Sequence, residues 1–271
     1  MYRLAGVATT FSPRFLAVLA EAQRISKAFS VPLHLIHADV PSIEKEARFQ
    51  EAVVLLGLPA ETTVHYQPGE PADAILEVQH RAGIDLLIAG ALERETLHRN
   101  FTGNVARELM RRTVADLFLF VGPNEQPESF DQIYLVLPDF SNLSRWVFGR
   151  AVEFAEQVAA QTLTVIQVQT PFSEAKEKAL GQDVLSPDER LQSWIAERTG
   201  LKVQFDYHLI RGNTGFTAFE FIQSSEANLL VMPSELPSNG LPVFAPMLDW
   251  IIQVIPKNLW VVRGLAKPRE A

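Results

Sequence analysis

The chain carries one pattern twice. Gly69 to Gly90, GEPADAILEVQHRAGIDLLIAG, lies on Gly212 to Pro233, GNTGFTAFEFIQSSEANLLVMP, at a shift of 143 residues (212 − 69) and without a gap. Glu77 falls on Glu220, Leu86-Leu87-Ile88 on Leu229-Leu230-Val231, and Phe101 on Phe244. A shift of 142 (259 − 117) lays Leu117-Phe118-Leu119-Phe120 on Leu259-Trp260-Val261-Val262. Near the start the shift is 129 (132 − 3), which puts Thr10-Phe11-Ser12 on Asp139-Phe140-Ser141. The period is far longer than the roughly 20 to 50 residues of a solenoid unit. A repeat that keeps its order over so much of the chain predicts two copies of one fold, over residues 1–125 and 130–264. The polar, twice-prolinated stretch Gly122 to Asp131, GPNEQPESFD, reads as the linker.

Each copy alternates apolar runs with amphipathic stretches. In the first, Leu4 to Thr9, Leu33 to Val40, Thr62 to Tyr66, Asp85 to Ala89 and Leu117 to Val121 read as strands. Between them lie helices from Pro13, from Ile43 to Leu56, from Pro71 to Arg81 and from Gly103 to Arg112. Ser12 is the expected N-cap of the first helix with Pro13 at its first position, and Gly57 and Gly83 stop the next two. Strands separated by helices predict parallel pairing with right-handed crossovers, and near-continuous apolar strands predict helices on both faces. The fold class expected is α/β: two tandem doubly wound, mainly parallel five-stranded sheets. Ser173 to Arg190 departs from the pattern and reads as a helix with a loop.

Bulk properties exclude several classes. The chain has 271 residues, 47% of them hydrophobic and 21% charged, enough for a buried core in each half. It contains no cysteine, so disulfide and thiolate chemistry is excluded. The net charge of −8 argues against a nucleic-acid partner. The segment MYRLAGVATTFSPRF lacks the pattern of a secretory signal, and no run of about 20 apolar residues predicts a membrane span. The expectation is a cytoplasmic protein. The histidines His34, His37, His65, His80, His98 and His208 show no metal-ligand spacing. No Ser-His-Asp set stands at nucleophile-elbow spacing, so no enzyme activity is expected.

In an open parallel sheet a ligand binds beyond the carboxyl ends of the strands, at the switch point. In the first copy those ends are Thr9-Thr10-Phe11, Ala38-Asp39-Val40 and Gly90 onward, GALERETLHRNFTGNVAREL. A loop ending in Gly103-Asn104 and opening a helix offers backbone N–H groups to an anion. This pattern resembles the tandem universal stress proteins, a βαβαβαβαβ family whose fourth strand is followed by G-x2-G-x9-G-[ST]. Gly90 and Gly103 stand at the outer glycine positions, Asn104 at the hydroxyl position, and Glu93 replaces the middle glycine. The family's first strand commonly ends in Asp-Phe-Ser or Asp-Gly-Ser, and the Asp contacts adenosine. Thr10-Phe11-Ser12 keeps that frame without the Asp. The second copy keeps Asp139-Phe140-Ser141, but its glycines have become Pro233 and Pro246, with Met247 at the hydroxyl position.

The resemblance implies a stress-response protein with ATP or AMP as ligand, and Mg²⁺ with ATP. The implied ligand residues are Thr9, Thr10, Ala38, Gly90, Gly103, Asn104 and Val105. Proline has no N–H to give, so the second loop is expected to hold no triphosphate. Glu93 places a negative charge in the phosphate path, to be offset by Arg94, Arg99 or Arg107. At most one weak site is therefore expected, in the first copy. Asp139 is expected to cap the helix that begins near Asn142. The family also pairs the last strands of two domains, which implies an intramolecular pseudo-dimer here, or a homodimer. The alternative reading is a ligand-free adaptor that works through an unknown protein partner, using its surface or the Ser173–Arg190 insert.

Overall fold

A computed structural model describes residues 2–59, 61–91, 105–124, 126–179, 185–212, 215–238 and 240–264. The chain divides into two compact units, Met1–Glu128 with Asn258–Trp260, and Ser129–Lys257 with Val261–Ala271.

In the first unit the order is β1 (Ala5–Thr9), α1 (Phe15–Phe29), β2 (Leu33–His37), α2 (Ile43–Leu56), β3 (Thr63–Tyr66), α3 (Pro71–Ala82), β4 (Leu86–Ala91), α4 (Val105–Arg112) and β5 (Asp116–Val121). The strands lie in the order β3-β2-β1-β4-β5. All four pairings are parallel, with Val7 in register with Leu35 on one side and Ile88 on the other. The sheet is doubly wound because sequence neighbours β3 and β4 lie on opposite sides of β1. Leu35, Ile36, Leu87, Ile88 and residues Leu117 to Phe120 are fully buried, as strands covered on both faces require.

Helix limits follow local chemistry. Ser42 caps α2 by accepting from the Lys45 N–H, and Gly57 ends it at φ +59°, a conformation that costs glycine little. Pro71 opens α3 at its first turn. The start of α1 differs from expectation: its N-cap is Arg14, and the helix begins at Phe15. Ser12 still contributes, its Oγ accepting from the Arg14 N–H at 3.3 Å and its carbonyl from the Phe15 N–H at 3.0 Å. The bonds form a turn that delays the helix by two residues. The second strand also stops early, at His37, because its partner β3 ends opposite at Tyr66.

The second unit runs β6 (Gln132–Leu137), α5 (Asn142–Gln157), β7 (Thr162–Gln169), α6 (Pro171–Ala179), α7 (Pro187–Ala196), β8 (Gln204–Arg211), α8 (Phe216–Ser224), β9 (Leu229–Glu235), a 3₁₀ turn at Pro246–Leu248, α9 (Asp249–Val254) and β10 (Leu259–Gly264). Its strand order, β8-β7-β6-β9-β10, repeats that of the first unit. The stretch read as a helix with a loop is two helices. The second, α7, is opened by a capping box between Ser186 and Glu189.

Three residues from the far end of the chain complete the first unit. Trp260 is fully buried and stacks on Phe118 with ring centres 5.1 Å apart, and its Nε1–H donates to the Tyr2 hydroxyl at 3.2 Å. The Asn258 Oδ1 accepts from the Val121 N–H at 2.9 Å.

Candidate functional site

The first unit holds a cavity of about 370 Å³ at the carboxyl ends of its strands. It lies at the point where β1 has β2 on one side and β4 on the other. Its floor is Ala8, Thr9 and Thr10 from β1 and its exit, and His37 and Ala38 at the end of β2. Ala89, Gly90 and Ala91 of β4 form one wall, and Ser12, Arg14, Phe15 and Val18 form another at the start of α1. Pro71 and Ile75 of α3, Val105 and Ala106 of α4, and Pro123 close the rest.

Five residues expected from the sequence, Thr9, Thr10, Ala38, Gly90 and Val105, are thus brought to one cavity. Gly103 and Asn104 lie outside the described residues, as do Glu93, Arg94 and Arg99. The sequence reading missed Arg14, His37 and the apolar wall. Arg14 was hidden by the expectation that Ser12 begins the helix, which placed it inside the first turn. His37 was read as structural, which it also is.

Hydrogen bonds fix the polar part. The Thr9 hydroxyl donates to the Ile36 carbonyl at 2.8 Å, tying β1 to β2 at the floor. His37 is buried, and its Nδ1 lies 3.2 Å from the Thr9 carbonyl oxygen. A carbonyl only accepts, so Nδ1 carries the proton and the neutral ring keeps its acceptor at Nε2. Burial holds the His37 pKa below the ordinary value, which keeps the ring neutral. The rings of Phe11 and Phe49 flank it, at 4.8 and 5.5 Å between centres. Arg48 lies over the outer part of this cluster, 4.1 Å from the Phe11 ring centre.

Gly90 is a packing glycine as well as a wall residue. A Cβ there would stand 2.7 Å from Val18 Cγ2, so only glycine lets β4 approach α1 this closely. Arg14 is half-buried and its Nη1 is shielded from water.

The second unit treats the same place differently. The 3₁₀ turn at Pro246–Leu248 presses onto the start of α8: a Cβ at Gly215 would stand 1.8 Å from the Met247 carbonyl oxygen. Main chain therefore meets main chain at this point of the second unit. Phe216 and Trp250 pack over the contact with ring centres 5.0 Å apart. Asp139, expected as the helix cap, supports the cap instead. Ser141 is the N-cap of α5, and the Asp139 carboxylate accepts from the Ser141 N–H at 3.0 Å and the Ser144 hydroxyl at 2.8 Å.

With this geometry in view, comparison with known structures identifies the fold. A universal stress protein from Archaeoglobus fulgidus DSM 4304 superposes with a TM-score of 0.66 at 13% identity, over 96% of this chain and 98% of that one. A protein from Pseudomonas aeruginosa UCBPP-PA14, provisionally assigned to the universal stress proteins, gives 0.69 at 16% identity, over 97% and 93%. The cytoplasmic domain of a prokaryotic cation chloride cotransporter gives 0.51 at 11% identity, over 96% and 94%. The chain has the universal stress protein fold, matched along nearly its whole length. No family model matches the sequence, and no curated protein matches it. Among the described residues no helix is long and apolar enough to cross a membrane.

Proposed function

We propose that the chain is a non-enzymatic stress-response protein that holds one adenine nucleotide, ATP or AMP, weakly in its first unit and none in its second. One observation carries this reading: the first unit has a cavity at its switch point that brings together Thr9, Thr10, Ala38, Gly90 and Val105, while at the matching helix start of the second unit the Met247 main chain presses on Gly215. The residues present fit the nucleoside part of such a ligand. Ala38, Ile75, Ala89 and Val105 offer an apolar slot for a base, and Thr10 and Ser12 offer hydroxyls. Metal donors fit less well: among the described residues no cluster of three His, Asp or Glu is placed to hold a cation. The protein's own part is to bind and shelter the ligand, with no residue set as a general base. Calorimetry with ATP and with AMP on the full chain should give a stoichiometry of at most one. Two tight sites would overturn the assignment of the second unit.

The adaptor reading has one observation in its favour. Phe172, near the start of α6 and just before the segment that departs from the repeat, is 79% exposed. If no adenine compound binds at millimolar concentration, recognition through this segment becomes the better account. Phe172→Ser would then weaken partner capture.

A further inference from the structure

We infer that His34 and His65 form a site for a divalent transition metal of square-planar preference, Cu²⁺ foremost, with water completing its coordination. Neither residue lines the cavity of the first unit, so the inference stands apart from the nucleotide reading.

The topology makes the pair. His34 lies on β2 and His65 on β3, 31 residues apart (65 − 34), a spacing that gives no local signal. In the parallel register His34 stands opposite Thr63, and Ile36 opposite His65. Ladder partners share a face, and so do alternate residues along a strand. The two imidazoles therefore stand diagonally on one face of the sheet, within reach of each other. His65 Nε2 lies 2.9 Å from His34 Nδ1, with ring centres 4.9 Å apart and planes inclined at 38°. Both side chains are half-buried, so they are held by their surroundings and still reachable from water. β3 also ends the strand order.

Distance then chooses the metal. Without an ion, the contact is one N–H···N bond, with one ring donating and the other accepting. If the donating ring carries its proton on its other nitrogen, both facing nitrogens present lone pairs and no proton has to leave. Imidazole nitrogens bind a divalent ion at about 2.0–2.1 Å, so nitrogens 2.9 Å apart subtend about 90° at it. A tetrahedral ion would need them about 3.3 Å apart. A right angle is that of neighbouring positions in a square-planar or tetragonal site, the geometry of Cu²⁺ and Ni²⁺, and Cu²⁺ binds most strongly of the divalent series. The lone pairs reach an ion beside the N···N line by rotation about Cβ–Cγ, a soft torsion in histidine.

The surroundings set the strength. Arg81 of α3 is near enough for its charge to act on His65. Its Nη1 lies 3.5 Å from Glu77 Oε1 and donates to Gln67 Oε1 at 2.9 Å, and Glu77 offsets the repulsion it exerts on a cation. Among the described residues no group of three His, Asp or Glu is placed to hold an ion. Two protein donors make an open, exchangeable site rather than a closed structural one.

The test uses the untagged full chain, stripped with a chelator and free of nucleotide, at about pH 7.5, where an ordinary histidine is mostly neutral. Titration with CuCl₂ under electron paramagnetic resonance should show one equivalent of Cu²⁺ with splitting from two ring nitrogens. His34→Gln and His65→Gln should each leave one nitrogen and lower Cu²⁺ affinity at least about tenfold, since losing one donor forfeits the chelate. The double variant His80→Gln with His208→Gln should leave both readings unchanged. ZnCl₂ should bind at least about tenfold more weakly than CuCl₂. No Cu²⁺ binding, fewer than two nitrogens, a two-nitrogen signal that survives in either single variant, or zinc binding as tight as copper each overturns the inference. If circular dichroism shows a glutamine variant misfolded, the wild type decides by nuclear magnetic resonance. Substoichiometric Cu²⁺ should broaden the ring signals of His34 and His65 before those of the other four histidines. Broadening that begins at any of those four rejects the site.

Discussion

Single residues set the shape of the cavity and the acid response of the first unit. Gly90 lies against Val18, whose branched side chain has little rotamer freedom inside α1. Gly90→Ala is therefore expected to cost about 1–3 kcal/mol by overpacking. Adding Val18→Ala should recover part of that loss, a coupling that denaturant titration of the four proteins would measure. Equal, additive losses would show that the two residues do not press on each other. Elsewhere in the same unit, His65 Nε2 lies 2.9 Å from His34 Nδ1, which requires at least one neutral ring. Burial, first of all, lowers the pKa of both, and Arg81 and His34 add to the effect on His65. The facing helix α3 carries Arg81 paired with Glu77, so it brings little net compensation. A lowered histidine pKa means that the unfolded chain takes up protons first as pH falls. The stability these rings contribute is thus complete above about pH 6.5 and is lost as pH drops below it toward the folded values. The thermal midpoint should fall between pH 7 and pH 5, and His65→Gln should flatten that slope. A slope unchanged by the substitution would place the acid sensitivity elsewhere.

At the scale of elements, the strands and most helices were legible because their signals are local and strong. Ile43 to Leu56 came out with its observed limits, since Gly57 supplies an unambiguous stop. The repeat supplied the order of the second unit, which no single segment could. What the sequence hid was tertiary. The reading of Ser12 as a cap was locally sound, but the turn from Ser12 to Phe15 uses its hydrogen bonds before the helix begins, and this puts Arg14 at the cavity wall. The cavity was half visible: Thr9, Thr10, Ala38 and Gly90 follow from strand ends, and Val105 came with the resemblance. The apolar wall residues from α1 and α3 look like any core residue until the fold brings them together. The second loop was expected to hold no triphosphate because Pro246 has no N–H to give; what the sequence did not show is the close main-chain contact of Gly215 with Met247. Gly215→Ala cannot be accommodated without moving main chain. It should destabilise the second unit by about 2–4 kcal/mol, a large effect for an added methyl group. Hydrogen exchange would show the loss confined to the α8 and 246–254 region, and protection unchanged there would mean that the contact is dispensable.

For the molecule as a whole, the first unit depends on residues far from it in sequence. Trp260→Ala removes a fully buried ring from beside Phe118 and should cost about 3–5 kcal/mol. The loss should register in the first unit, where Phe118 and Tyr2 lose their partner, as increased proteolysis of residues 2–91. Cleavage that increases only after residue 129 would contradict the assignment of Trp260 to the first unit. This borrowed ring also imposes an order in time. Asn258 is made 130 residues after Glu128 (258 − 128). At about 5–20 residues per second, a ribosome needs roughly 7 to 26 s to add them. Over that interval the nascent first unit stands with Phe118 uncovered, so the stretch of synthesis between the two units is the period when the chain is most open to chaperone capture or to aggregation with its neighbours on the same message.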